Sequence, residues 1–105
     1  MVRFLDYDAV IADLRRATRD ARAEYPDIAR VLLFGSLVNG TWTADSDADL
    51  IVVVRREFTG LLDRAPYQVF SRLIPTDTLV YSESEFERMR AEPFLSEALA
   101  TAVEL

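Results

Sequence analysis

The chain has 105 residues, half of them apolar and 29% charged, with a formal net charge of −6, which is the profile of one small globular domain. No apolar run approaches the roughly 20 residues of a membrane-spanning helix, and with neither Cys nor His present the chemistry of disulfides, thiolates, imidazoles and the usual zinc sites is excluded. The acidic balance also argues against direct nucleic-acid binding, which needs a basic surface, and favours a basic protein partner. Residues Met1 to Val10 mix charged with apolar side chains and show no signal-peptide core, so the expected compartment is the cytoplasm.

From Tyr7 to Tyr25 apolar residues recur every three or four positions, which predicts an amphipathic helix capped by Asp6 or Asp8 and stopped by Pro26. Val31 to Phe34 and Leu50 to Val54 read as short buried strands. Between them Ser36 opens a short helix or turn, and Asn39-Gly40 with the polar Thr43 to Ser46 stretch forms a loop. Over Glu57 to Ile74, interrupted by Gly60 and Pro66, a helix opening at Pro66 is expected, with Val69, Phe70 and Leu73 facing inward. Asp77 to Tyr81 predicts a third strand. Ser82 and Glu85 form a capping box for the helix that follows, and Pro93 opens a last helix carrying Phe94, Leu95, Ala98 and Leu99. The fold class expected is α/β, a small mixed three- to four-stranded sheet with helices packed mainly on one face and carboxylates at an exposed edge of the other.

Chemistry concentrates where Phe34-Gly35-Ser36 is followed, after ten residues, by Asp47-Ala48-Asp49 feeding into the second strand. Two acids one residue apart on an extended segment point to the same side. At 4 Å and an effective dielectric of 20 their repulsion is on the order of 4 kcal/mol, and a hard cation such as Mg²⁺ reverses that sign without needing His or Cys. Solvated turn residues would give the same short pattern. Gly35 lets backbone approach a phosphate, and the helix start at Ser36 offers amide groups to an anion, although a simple turn with Ser36 as helix cap reads equally well. Trp42 and Tyr67 can stack on a base or pack on the core. Arg15, Arg16, Arg19 and Arg22 read as a solvated helix face.

Taken together, Gly35-Ser36, the ten-residue gap and Asp47-x-Asp49-Leu50-Ile51-Val52-Val53 resemble the signature of the polymerase-beta-like nucleotidyltransferases, and the chain length resembles the minimal nucleotidyltransferase (MNT) subgroup, with the whole of residues 1–105 as one such domain. The resemblance implies a third carboxylate at Asp77, two Mg²⁺ ions held by Asp47, Asp49 and Asp77, and ATP as substrate with its terminal phosphates on Gly35 and Ser36. It further implies the antitoxin half of a toxin–antitoxin pair, hetero-oligomeric with a HEPN-type toxin and transferring AMP to a tyrosine hydroxyl. A catalytically weak antitoxin that neutralises by binding alone is the alternative. Family members often carry basic residues where this chain has Leu37, Val38 and Asn39, and Arg55, Arg56 or Arg72 are the candidates to replace them.

Overall fold

The computed structural model describes residues 6–43 and 45–105. The first five residues of the Met1 to Val10 segment, and Ala44 within the Thr43 to Ser46 loop, lie outside the described residues.

Helix α1 spans Tyr7–Glu24, and the choice between its two candidate caps falls on Asp6, whose Oδ1 accepts from the Ala9 amide at 3.1 Å. The first strand, β1 (Ile28–Phe34), begins three residues earlier than the apolar run alone indicates. After it come the one-turn helix α2 (Ser36–Asn39) and β2 (Ala48–Val54), which takes in Asp49. Strand β3 covers Thr76–Ser82, α3 Glu83–Met89, α4 Pro93–Thr101 and a final two-residue strand, β4, Val103–Glu104. The capping box closes as its sequence implies, with Ser82 Oγ accepting from the Glu85 amide and Glu85 accepting from the Ser82 amide.

The four strands form one mixed sheet in the order β3-β2-β1-β4. β2 runs antiparallel to β1 and parallel to β3, and β4 returns antiparallel to β1. This agrees with the expected α/β class. The distribution of helices differs from expectation, because they cover both faces. On one face α1 packs Val10, Leu14 and Ala17 over Val31, Leu33, Leu50, Val52 and Val54. On the other, Phe86 of α3 with Leu95 and Ala98 of α4 covers Leu32, Ile51 and Val53. The reason is legible in β2 itself: Leu50 to Val54 are all apolar, so both sets of alternating side chains must be kept from water.

The expected helix at Pro66 is absent. A single 3₁₀ turn at Leu61–Arg64 is the regular structure between β2 and β3, and beyond it burial alternates over 67–70, with Tyr67 and Val69 buried and Phe70 exposed, before the chain bends at 72–74 and leaves Leu73 exposed. That alternation belongs to extended chain. Contacts outside the segment impose it. Asp13 of α1 accepts from Ser71 Oγ at 2.8 Å and from the Arg72 amide at 2.7 Å, and the Val69 carbonyl accepts from Thr76 Oγ1. These bonds use backbone and side-chain groups that a helix would have turned elsewhere. Among the described residues no helix is long and apolar enough to cross a membrane.

Candidate active site

The C-terminal end of β1 and the N-terminal ends of β2 and β3 meet at one end of the sheet. Phe34 pairs with Asp49 across the β1–β2 ladder, and Asp49 pairs with Asp77 across the β2–β3 ladder. Residues directly opposite in neighbouring strands project to the same face, so both carboxylates stand on the face that α3 and α4 cover further along the strands. Asp47, two positions before Asp49, precedes the first residue of β2 and is exposed, as is Asp77, whereas Asp49 is half-buried.

Gly35 closes this corner against Asp49. Its backbone lies at φ 84°, ψ −152°, a region open in practice to glycine alone. A Cβ there would overlap Asp49 Oδ2 and stand 3.1 Å from Asp49 Cγ. Glycine is therefore required twice, by the turn and by the carboxylate behind it. Its carbonyl accepts from the Val38 and Asn39 amides and so starts α2.

Of the two readings of Ser36, the helix-cap reading is excluded: Gly35 occupies the cap position and no side chain caps α2. The Ser36 hydroxyl stands at the first helical position, next to the Gly35–Asp49 contact. Leu37, one of the three positions where the resemblance leads to an expectation of basic residues, is 2% exposed and part of the core, so that position faces the interior here. Arg55 and Arg56 cannot replace such a cation. They follow the far end of β2, about 20 Å of strand from Ala48 at ~3.3 Å per residue, and Arg56 is engaged with Tyr67 and the Phe58 ring. Arg72 follows Ser71 on the α1 side of the sheet, its amide tied to Asp13.

The field at the site is negative. Asp49 has its carboxyl pKa raised, first by burial and then by the charges of Asp77 and Asp47. Among the described residues no three acidic side chains are drawn close enough to enclose a cation as they stand. The donor set still suits Mg²⁺, which binds through one or two carboxylates and completes its shell with water and substrate phosphate. Asp49 with Asp77 beside it, or with Asp47 ahead of it, supplies such a pair, and a divalent charge there offsets the repulsion that raises Asp49.

Two aromatic residues considered for base stacking pack on the protein instead. Tyr67 is 4% exposed and donates its hydroxyl to Asp27 at 2.7 Å, and Trp42 stacks on Tyr7 with ring centroids 6.1 Å apart. The periodicity of α4 conceals a different feature. Phe94, Glu97 and Thr101 line one helix face across from Phe34, Gly35 and Asn39, and the cleft between them has a volume of about 200 Å³. In the sequence only Phe94 of this face belongs to the apolar pattern, with Leu95, Ala98 and Leu99; the position of α4 beside the Gly35 corner makes the face a wall of the cleft.

Comparison with known proteins bears on the fold and the family. Residues 14–104 match the family described as "Nucleotidyltransferase domain". A solved structure, described as that of a "putative nucleotidyltransferase" from Sulfolobus solfataricus, superposes with a TM-score of 0.62 at 18% sequence identity, over 99% of this chain and 89% of the other. No curated protein matches the chain in sequence.

Proposed function

The chain belongs to the nucleotidyltransferase domain family, and on that premise we propose that it transfers a nucleoside monophosphate, AMP from ATP, onto a tyrosine hydroxyl of a HEPN-type partner protein. The observation that carries nucleotidyl transfer is the Gly35 corner: a glycine with no room for a side chain against Asp49, with Asp77 in register beside it. On this reading the Gly35 backbone takes the phosphates and the adjoining carboxylates take the cation.

In this reading the acceptor hydroxyl attacks the α-phosphorus, a new O–P bond forms, the bond to the bridging oxygen of the β-phosphate breaks, and pyrophosphate leaves. Asp49 with Asp47 and Asp77 around it would hold Mg²⁺, which when bound would supply charge neutralisation for the transfer. Gly35 and Ser36 hold the terminal phosphates by backbone approach and a hydroxyl donor. Asp77, exposed at the start of β3, stands on the side from which the acceptor enters and takes its proton.

The protein acceptor is supported by the net charge of −6, which complements a basic partner surface. Inhibition by binding alone is the second reading, favoured by the buried Leu37 at one of the positions where the resemblance leads to an expectation of a basic residue. Co-expression with the partner followed by intact-mass measurement separates the two. Added AMP masses with the wild type and none with Asp49→Asn support transfer; full neutralisation by Asp49→Asn with the partner unmodified in both cases removes it.

A further inference from the structure

Resting on the nucleotidyl-transfer reading, we infer that the cleft between α4 and the Gly35 corner holds the nucleobase of the substrate, stacked on Phe94 and read by Glu97 through an exocyclic amino group. The order of parts across the sheet places the cleft on the nucleotide side. Asp77 on β3 is at one flank, Asp49 on β2 is next, Gly35 ends β1, and the wall of α4 lies beyond. With the acceptor entering at the Asp77 flank, as the proposed function has it, the opposite flank is left for the nucleotide.

The chemistry of the lining then decides which part of the nucleotide fits. A space of about 200 Å³ is smaller than the range usual for whole drug-sized ligands and suits a single heterocycle. Its walls carry the Phe34 and Phe94 rings, in edge contact at 5.9 Å between centroids, and the Glu97 carboxylate. A carboxylate repels phosphate, while an aromatic face stacks on a base. Phe94 is 52% exposed, leaving ring surface free for that purpose.

Hydrogen-bond accounting narrows the base. The Thr101 hydroxyl donates to the Asn39 side-chain oxygen at 3.0 Å, which leaves the amide nitrogen of this cleft-lining residue as its remaining donor. Glu97 is an acceptor only. Together they match an edge with an amino donor beside a ring-nitrogen acceptor, as adenine presents, and disfavour bases without the amine.

The test is calorimetric titration with Mg²⁺ and three probes: ATP, ITP (which lacks the exocyclic amine) and inorganic tripolyphosphate, which has no base. The wild type should bind ATP about tenfold or more tighter than tripolyphosphate, as expected for one stacked base, and ATP tighter than ITP. Phe94→Leu, which keeps an apolar side chain against Phe34 but removes the π-face, should lower ATP affinity by several-fold and leave tripolyphosphate unchanged. Glu97→Gln should reduce the preference for ATP over ITP by on the order of tenfold. ATP binding no tighter than tripolyphosphate, or variants that weaken all three probes equally, would overturn the base-cleft assignment while leaving the phosphate site intact. If no probe binds even to the wild type, the nucleotidyl-transfer reading itself fails, and the assignment with it.

Discussion

Replacing Gly35 by alanine isolates the two constraints that define this site. The first is conformational: at φ 84°, ψ −152° an L-residue is strained by about 1–3 kcal/mol. The second is steric, because the new methyl overlaps Asp49 Oδ2 and lies 3.1 Å from Asp49 Cγ, so the carboxylate must move. The steric part depends on the Asp49 side chain and the conformational part does not. Combining Gly35→Ala with Asp49→Ala should therefore recover the steric share, giving a coupling within the 0.5–3 kcal/mol range of contacting pairs. For a domain of this size each kcal/mol moves Tm by roughly 4–8 °C, so thermal melts of the four proteins in the cycle resolve it. In parallel, Gly35→Ala should lose Mg²⁺-dependent ATP binding, since the displaced Asp49 carboxylate no longer faces the phosphate corner. An alanine that melts like the wild type, or one whose penalty is the same with and without the Asp49 side chain, would refute the close packing of glycine on carboxylate.

Asp49→Asn should stabilise the protein in the absence of metal. The Asp49 carboxyl pKa is raised by burial and by Asp77 and Asp47, so its charged form opposes folding above the ordinary carboxylate range, and the gain should fade as pH falls below it. The same variant should lose the thermal stabilisation by Mg²⁺ and nucleotide that the wild type shows, about 2.7 kcal/mol at a hundred times the dissociation constant. Ser36→Ala should change stability by less than about 0.5 kcal/mol, because the hydroxyl caps no helix, but should weaken ATP binding in titration. An unchanged affinity would remove Ser36 from the phosphate site. Glu85→Gln tests the clamp on the β2–β3 connection, where Arg64 Nη1 and Nη2 reach Glu85 at 2.8 and 2.7 Å and Nη1 also bonds the Val80 carbonyl. The Arg64 guanidinium holds the Glu85 pKa down to about 2 from 4.5, a difference equivalent to about 3–4 kcal/mol. A depressed carboxylate stabilises above its unfolded value, so the deficit of the variant should be full at pH 7 and vanish as pH falls from about 4.5 to 2. Urea melts that show the same deficit at pH 2.5 and pH 7 would contradict this.

The local elements were legible wherever local rules govern them. The helical periodicity of α1, the apolar runs of β1 and β2, the capping box at Ser82 and Pro93 at the head of α4 each carry a short-range cause, and each element forms there. The spacing of Gly35-Ser36 and Asp47-x-Asp49 likewise marked the end of the sheet where Asp49 and Asp77 come into register. Other features depend on contacts distant in sequence. The stretch after Pro66 has residues compatible with a helix, yet Asp13, some 58 positions before Ser71, pins it in a non-helical path. The two-faced cover of the sheet follows from the unbroken apolar run in β2, but which helix takes which face is settled only by packing. The contact of Gly35 with Asp49 joins residues on different strands, and the cleft under α4 exists because β4 returns the chain alongside β1. A sequence specifies which residues can bear the chemistry, through side-chain type and periodicity. Whether they meet depends on strand register and helix placement, which are set by burying the whole core at once.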